Sequence, residues 1–436
     1  MSINYINNQT VMSFISHASV LLNYNDEIII TDPWYISSAF NTWWSCPPPL
    51  YNIDMILGII KSGKAKIVIS HAHPDHIDRN FIKLLPSSVE IYIPKYKDSH
   101  FIDILKSLGI KNIIEIENKE LKVGNFILNS YAHYDSDYDA AVSIESPDAF
   151  IFHGNDSWRI KEEAKNKLKL KLKNLKKASL LMGQGGSASG YPLTYYNLSK
   201  TKSDSLLIEK NNKMIISLAA TAKECRFDNI LAYACFSIVK VQGKNYSNRA
   251  PIPTAQYCNK IASSDKFLDL SPGDIYLPKK GKGAVIPLIK SLHINQNNFI
   301  KENNIYNWPT FNNNKIKTLQ NKTNLFCKNF DIYLKKKHDE YTLDLDEIGI
   351  EFMFEVLDEN ENIIAKVKHL YFNNIAERTK VCRVRASVLN QVLNGKIPFE
   401  DLSIGYLAEW DRIPVNKYNK EFMSHLKTFW NIYVCK

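Results

Sequence analysis

Three imidazoles and two carboxylates fall within eight residues, His71 to Asp78, in the stretch Ser70-His71-Ala72-His73-Pro74-Asp75-His76-Ile77-Asp78. In extended chain, residues two apart point the same way, so His71 and His73 can meet one cation. Pro74 fixes a turn, after which Asp75 and His76 swing toward a second cation position. Imidazole with carboxylate suits Zn²⁺ or Fe²⁺ rather than Ca²⁺ or Mg²⁺. One or two such ions would make water nucleophilic at neutral pH or, if iron, support redox chemistry.

The elements around this stretch must aim it. The apolar run Lys66-Ile67-Val68-Ile69 reads as a buried strand feeding straight into the loop. Residues 11–22 and 27–31 read as two strands of a hairpin turning at 23–26. His17, inside the first, reads either as a core imidazole with a satisfied hydrogen bond or as a group that supports the donors or touches substrate. Asp32 ends the second strand before Pro33, where it can accept the free N–H of a metal-bound imidazole. The segment Trp43-Trp44-Ser45-Cys46-Pro47-Pro48-Pro49 reads as packing under a loop or as a pocket wall.

A helix at 54–63 precedes the donor loop. After it come a helix, a strand at 90–93, a helix at 99–108, and strands at 112–116 and 122–131, an α/β alternation. His133 follows at a strand end, with Asp135 and Asp137 as turn carboxylates that could reach the site. A buried strand at 149–152 leads into His153-Gly154-Asn155-Asp156-Ser157, where His153 can be a ligand or a hydrogen-bonding group.

Residues 159–177 are rich in Lys and carry much of the formal charge of +10. They read as a solvated amphipathic helix or as an attractor of an anionic substrate. No nucleic-acid motif accompanies them. A strand at 179–182 then opens into Gly183-Gln184-Gly185-Gly186-Ser187-Ala188-Ser189-Gly190-Tyr191-Pro192. Gly186, Ser187, Ser189 and Tyr191 are the candidate substrate-binding residues, since such a loop admits close approach and its N–H groups can cradle an anion.

The chain of 436 residues holds an α/β core plus a smaller unit, with an ordinary hydrophobic fraction of 45%. No apolar run reaches the ~20 residues of a membrane span, and no secretory signal is visible. Seven Cys without a C-x-x-C pair point to a reducing, cytoplasmic setting. Residues 294–324 read as a linking segment and 325–436 as an α+β module, loosely like sterol-carrier-type domains. The module could shape the pocket or make a homo-oligomer, and the sequence leaves both open.

The donor loop resembles the signature of the metallo-β-lactamase superfamily, which implies an αββα sandwich over residues 1–293. The resemblance gives His71, His73 and His133 to a first metal and Asp75 and His76 to a second, with Asp156 bridging and Asp32 buried beneath. Asp75 and His17 are the expected catalytic groups. Ser16-His17-Ala18-Ser19-Val20-Leu21 looks like the opening strand of the branch containing ascorbate-lactone hydrolases and N-acyl-phosphatidylethanolamine phospholipases. The Gly/Ser loop with Leu193-Thr194-Tyr195-Tyr196, and also Ser271-Pro272-Gly273-Asp274, resemble segments in the metallo-β-lactamase part of CMP-N-acetylneuraminate hydroxylases. Two departures matter. Those hydroxylases carry a Rieske domain needing paired C-x-H and C-x-x-H motifs, and this chain has neither. The strand at 230–236 supplies no closing His, and His293 is the only later candidate before the tail, so the second metal position is short of a ligand or empty.

The expected function is hydrolysis of an anionic small molecule (phosphodiester, nucleotide or sugar-phosphate) by metal-bound hydroxide. The alternative is a non-haem iron oxygenase served by a separate electron donor. A non-catalytic or nucleic-acid-binding role is a third, disfavoured because clustered buried His and Asp are costly unless they bind something.

Overall fold

Alternation along the strands builds two facing sheets. In the strand Glu27–Thr31, Ile28 and Ile30 face covering helices while Ile29 faces the opposite sheet. In the strand Ala149–His153, Phe150 and Phe152 face outward and Ile151 inward. The structure is a computed structural model and describes residues 7–117, 119–134, 136–244, 246, 253–287, 305–341, 350–369, 378–414 and 420–434.

The first part of the chain gives strands β1 (Val11–Ser16), β2 (Ser19–Tyr24), β3 (Glu27–Thr31), β4 (Trp43–Ser45), β5 (Ala65–Val68), β6 (Glu90–Pro94) and β7 (Asn112–Ile116). Next come β8 (Leu121–Val123), β9 (Phe126–Ala132), β10 (Ala140–Glu145), β11 (Ala149–His153), β12 (Ala178–Gln184) and β13 (Asn229–Tyr233). The short strands β14 (Ser237–Val239), β15 (Ile275–Leu277) and β16 (Ala284–Ile286) follow. One sheet has the order β16-β15-β1-β2-β3-β5-β6-β7, the other β13-β12-β11-β10-β9-β8, and β4 pairs with β14 in a ribbon.

The inner core lies between the sheets, with Met12, Phe14 and Leu22 against Leu128, Ile151 and Leu180. Helices α1 (Ile53–Lys61), α2 (Arg79–Ile82) and α3 (His100–Ser107) cover the first sheet through Ile56, Phe81 and Leu105. Helices α4 (Glu162–Lys173), α5 (Lys200–Cys225) and α6 (Ala255–Ala262) cover the second through Leu172, Leu218 and Cys258. The expected αββα sandwich is therefore present. β3 and β5 run parallel, as do β11, β12 and β13. Loops leaving the carboxyl ends of such strands are where α/β sheets bind ligands.

A second core unites α7 (Ile316–Tyr341) with a sheet of order β18-β17-β19-β20, made of β17 (Glu351–Leu357), β18 (Ile363–Lys368), β19 (Thr379–Arg385) and β20 (Ala408–Ile413). Helices α8 (Ala386–Val392) and α9 (Lys420–Val434) close it, with Phe326, Phe330, Leu389 and Phe429 buried together. No helix among the described residues is long and apolar enough to cross a membrane.

Several elements differ from expectation. Residues 11–22 are two strands, reversed at His17 and Ala18, rather than one. Residues 122–131 break at Gly124, whose φ is +57°. The long α5 gave no clean apolar stripe, because Ile208 and Ile216 stand exposed on it. Helix α7 begins inside the expected linking segment 294–324, since Leu319 already packs into the second core; residues 294–304 lie outside the described residues.

The donor loop is pinned at its far end by Asp78. This buried carboxylate caps α2 by accepting the amides of Asn80 (3.1 Å) and Phe81 (3.2 Å). Its other oxygen accepts the amides of Tyr35 (3.1 Å), Ile36 (2.6 Å) and Ser37 (2.9 Å) from the loop after β3. Asp78→Ala orphans all of these donors, so it should lower unfolding stability by about 3 kcal/mol or more, read as a fall in the urea midpoint.

Candidate metal centre

The centre is built around Asp32, which leaves β3 with a left-handed backbone (φ +35°) and is fully buried. Oδ1 accepts the Ser70 amide (2.7 Å). Oδ2 accepts the Ser70 hydroxyl (2.7 Å), His76 Nδ1–H (2.7 Å) and His153 Nε2–H (2.8 Å). Burial alone would raise this carboxyl, but the charges of His153 and His76 and their hydrogen bonds outweigh it and hold Asp32 well below the usual carboxylate range.

These bonds set the tautomers. Ser70 Oγ–H donates to Asp32, so Oγ can only accept from His71 Nδ1–H (2.9 Å). His71 is thereby left with its Nε2 lone pair aimed away from Asp32, and His76 Nε2, which carries a proton until a cation displaces it, points away from Asp32 too. Burial, with His76 and His73 alongside, pushes His71 down to about 4, keeping it neutral. Burial lowers His76 too, but Asp75 and Asp32 override that and raise it well above the usual imidazole range. Asp75 is held low in turn: burial raises it, and His76 and His17 more than reverse this.

Donor atoms converge in three groups, each within 4.8 Å: His71, His73 and Asp139; His71, His76 and Asp156; and His17, Asp75 and His76. His71 Nε2 and His73 Nδ1 are 2.9 Å apart, the separation of two nitrogens ~2.0–2.1 Å from one ion at a right angle. His76 Nε2, Asp75 Oδ1, Asp156 Oδ1 and both nitrogens of His17 are buried without a hydrogen-bond partner. Buried polar atoms are nearly always satisfied. A knot of orphaned imidazole and carboxylate atoms is what a transition-metal ion would satisfy, so the residues fit such a group.

His133 belongs to none of the three groups, and Asp139 stands with His71 and His73. Burial raises the Asp139 carboxyl, but the charges of His71 and His73, with that of His133 after them, hold it below the usual range. The backbone of His133 bridges to Ile160, and its amide donates to Asp139 O across the turn (3.2 Å). Asp137 pairs with Lys97 at the surface (2.6 Å), and Asp135 lies outside the described residues, as does His293. His153 has both nitrogens engaged, Nε2 on Asp32 and Nδ1 accepting from Tyr233 O–H (2.6 Å). It orients its neighbours rather than facing the donors.

The two-sheet sandwich with helices outside, the His-rich loop at the end of β5 and Asp156 facing it from the end of β11 together decide the architecture. The chain has the metallo-β-lactamase fold. No protein-family model matches it. A stretch of 106 residues, 23% of this chain, is 30% identical to the cytidine monophosphate-N-acetylneuraminic acid hydroxylase of Asterias rubens and takes in 15% of that protein's length. Among solved structures the chain is similar to a possible metal-dependent hydrolase from Veillonella parvula (13% identity, 61% of this chain and 98% of that one, TM-score 0.41). It is similar also to Igni18, a metallo hydrolase from Ignicoccus hospitalis (14%, 64% and 100%, TM-score 0.39). A third is CmlA, a diiron β-hydroxylase from Streptomyces venezuelae (14%, 53% and 46%, TM-score 0.35).

Two features read as anion-binding on this metallo-β-lactamase fold make contacts within the protein. In the Gly/Ser loop the amides of Gly185, Ser187 and Ser189 donate to Tyr233 O, Asn211 Oδ1 and Ser187 Oγ. The Ser189 hydroxyl accepts from Lys210 (2.6 Å), Arg412 lies over the Tyr191 ring (4.3 Å), and Gly186 passes close to the Cys235 side chain. On α4, Lys165, Lys167 and Lys171 pair with Glu162, Glu163 and Glu145.

A wall beside His73 went unread in the sequence. The Phe40 ring lies 6.1 Å from that of His73, edge to face. Phe40 and Asn41 both have left-handed backbones (φ +47° and +61°), and the second core clasps them. Asn41 donates to Asp401 Oδ2 (2.5 Å), Thr42 Oγ–H to Gly405 O (2.7 Å) and Trp43 Nε1–H to Ile404 O (2.7 Å). Trp43 is thus packing that also backs the wall.

Asp32→Asn should lower transition-metal affinity about 10- to 100-fold, measured by competition against a chromophoric chelator. Burial pushes the Asp401 carboxyl up to about 7, Glu400 adds to this, and the Asn41 bond only partly offsets it. A folded acid with a raised pKa keeps a proton the unfolded chain releases, so stability falls as pH rises from about 4 to about 7. Urea midpoints of wild type and Asp401→Asn should therefore agree near pH 4, and by pH 8 the variant should be more stable by on the order of 2–4 kcal/mol.

Proposed function

We propose that this protein is a metal-dependent enzyme that hydrolyses a small molecule. The observation carrying the reading is the convergence of orphaned buried atoms of Asp75, His76, Asp156 and His17 beside the paired nitrogens of His71 and His73. When bound, Zn²⁺ or Fe²⁺ supplies water whose pKa is lowered to about 7. His71, His73 and Asp139 would hold one ion, and Asp75 and His76 would contribute to a second, with Asp156 between them. Asp75 remains ionised and can orient a water by accepting one of its hydrogens. Asp32 holds His71, through Ser70, and His76 in the tautomers that leave Nε2 open. Phe40 and Trp43 keep bulk water from the His73 side. With the Gly/Ser loop and the α4 lysines engaged inside the protein, the reading commits to no substrate charge.

A second reading has its own support. Each of the three donor groups counts two imidazoles and one carboxylate, the donor ratio of non-haem iron oxygenase sites. The 106-residue similarity to a hydroxylase points the same way. That chemistry would need a separate electron donor.

Protein purified anaerobically should contain zinc or iron. Its turnover of bis-p-nitrophenyl phosphate or a lactone should need no oxygen, vanish on chelation and return with metal. Oxygen consumption with a reductant, without ester or lactone turnover, would move the assignment to the oxygenase. Protein that takes up no transition metal would overturn both.

A further inference from the structure

Strand β13, where a closing imidazole is expected, runs into Ala234-Cys235-Phe236 and supplies none. Another imidazole occupies the neighbourhood. The Ala234 amide donates to His17 O at 3.0 Å, so the turn between β1 and β2 lies against the end of β13, across from the other sheet. His17 is 2% exposed, and neither of its ring nitrogens has a hydrogen-bond partner. Nε2 lies 3.5 Å from Asp75 Oδ2, and the donor atoms of His17, Asp75 and His76 all lie within 4.8 Å of one another. The Trp34 ring meets the imidazole edge to face at 5.0 Å and fixes its plane. The backbone at His17 is left-handed (φ +41°), a conformation that disfavours side chains with a Cβ. A histidine that merely fills a core commits at least one nitrogen to a protein partner. This one commits neither, and it is aimed at two groups that also carry orphaned atoms.

We propose that His17 is a metal ligand, the imidazole that completes with Asp75 and His76 the second of two cation positions, Asp156 lying between that position and the one formed by His71, His73 and Asp139. The inference rests on the metal-dependent reading above. Its donor set of two nitrogens and one carboxylate oxygen takes Zn²⁺, Fe²⁺ or Co²⁺ and not Mg²⁺ or Ca²⁺. A proton-carrying role for His17 would leave the number of bound ions unchanged, which separates the two roles without reference to turnover.

The test titrates chelator-stripped full-length protein with Co²⁺, following visible absorbance and counting bound metal after gel filtration. Wild type is compared with His17→Asn, whose side chain tolerates positive φ, and with His17→Ala; circular dichroism and thermal melts confirm folding. Wild type should take about two equivalents and each variant about one, the second binding at least about tenfold weaker. The first absorption band should persist. Two full equivalents in a folded His17→Asn variant would overturn the inference and leave the metal-dependent reading standing. A wild type that saturates at one equivalent would do the same, whatever the variants show. A wild type that binds none would remove both.

Discussion

The centre hangs on one carboxylate. Asp32 accepts four hydrogens, from the Ser70 amide and hydroxyl, His76 and His153. Three of these groups lie on the loop after β5, and the fourth ends β11 in the other sheet. An isolated buried carboxylate would be severely destabilising; here both oxygens have donors, one on Oδ1 and three on Oδ2. The same bonds that make the charge tolerable turn the imidazole lone pairs outward. Packing of two sheets is thereby converted into the direction of individual nitrogen orbitals. Tyr233, bonded to His153 and accepting the Asn155 amide (3.0 Å), extends this rigidity to the segment that carries Asp156.

Charge is distributed with the same economy. The lysines of α4 look in the sequence like a basic field, yet Lys165, Lys167, Lys169 and Lys171 pair with Glu162, Glu163, Glu224, Glu120 and Glu145. Surface pairs of this kind contribute little to stability, but they cancel the field locally. What surrounds the centre is aromatic: Trp34, Phe40 and Trp43 are all buried.

What could be read from the sequence was what is local. The His71 loop, its feeding strand and the role of Asp32 depend on spacing over a few residues and on a strand end, and the αββα layering follows from alternation. What escaped depends on backbone geometry that residue types do not announce. The reversal at His17 uses a left-handed histidine where no Gly or Pro marks a turn, so residues 11–22 looked continuous. His133 and Asp139 sit at opposite ends of one connection. Which of them joins His71 and His73 depends on how that connection closes, and its backbone is tied at His133 to Ile160, 27 positions further along the chain. Helix α5 and the start of α7 were hidden for a different reason: Ile208 and Ile216 stand exposed on α5 and blur its stripe, and the buried face of α7 opens with Leu319 and the polar Thr323 before its aromatic residues begin.

The clasp on residues 39–43 joins positions very far apart in the chain: Asn41 and Asp401 are separated by 360 residues. During synthesis the His-rich loop and both sheets emerge long before Asp401 and Gly405. A ribosome-bound chain can thus hold every imidazole and carboxylate of the centre while the partners of Phe40 and Asn41 do not yet exist. Two consecutive left-handed residues without those partners relax toward ordinary backbone, taking Phe40 off His73. The order of translation itself therefore delays the finished wall until the last third of the polypeptide has folded, and an unfinished chain presents its donors to solvent on one open flank.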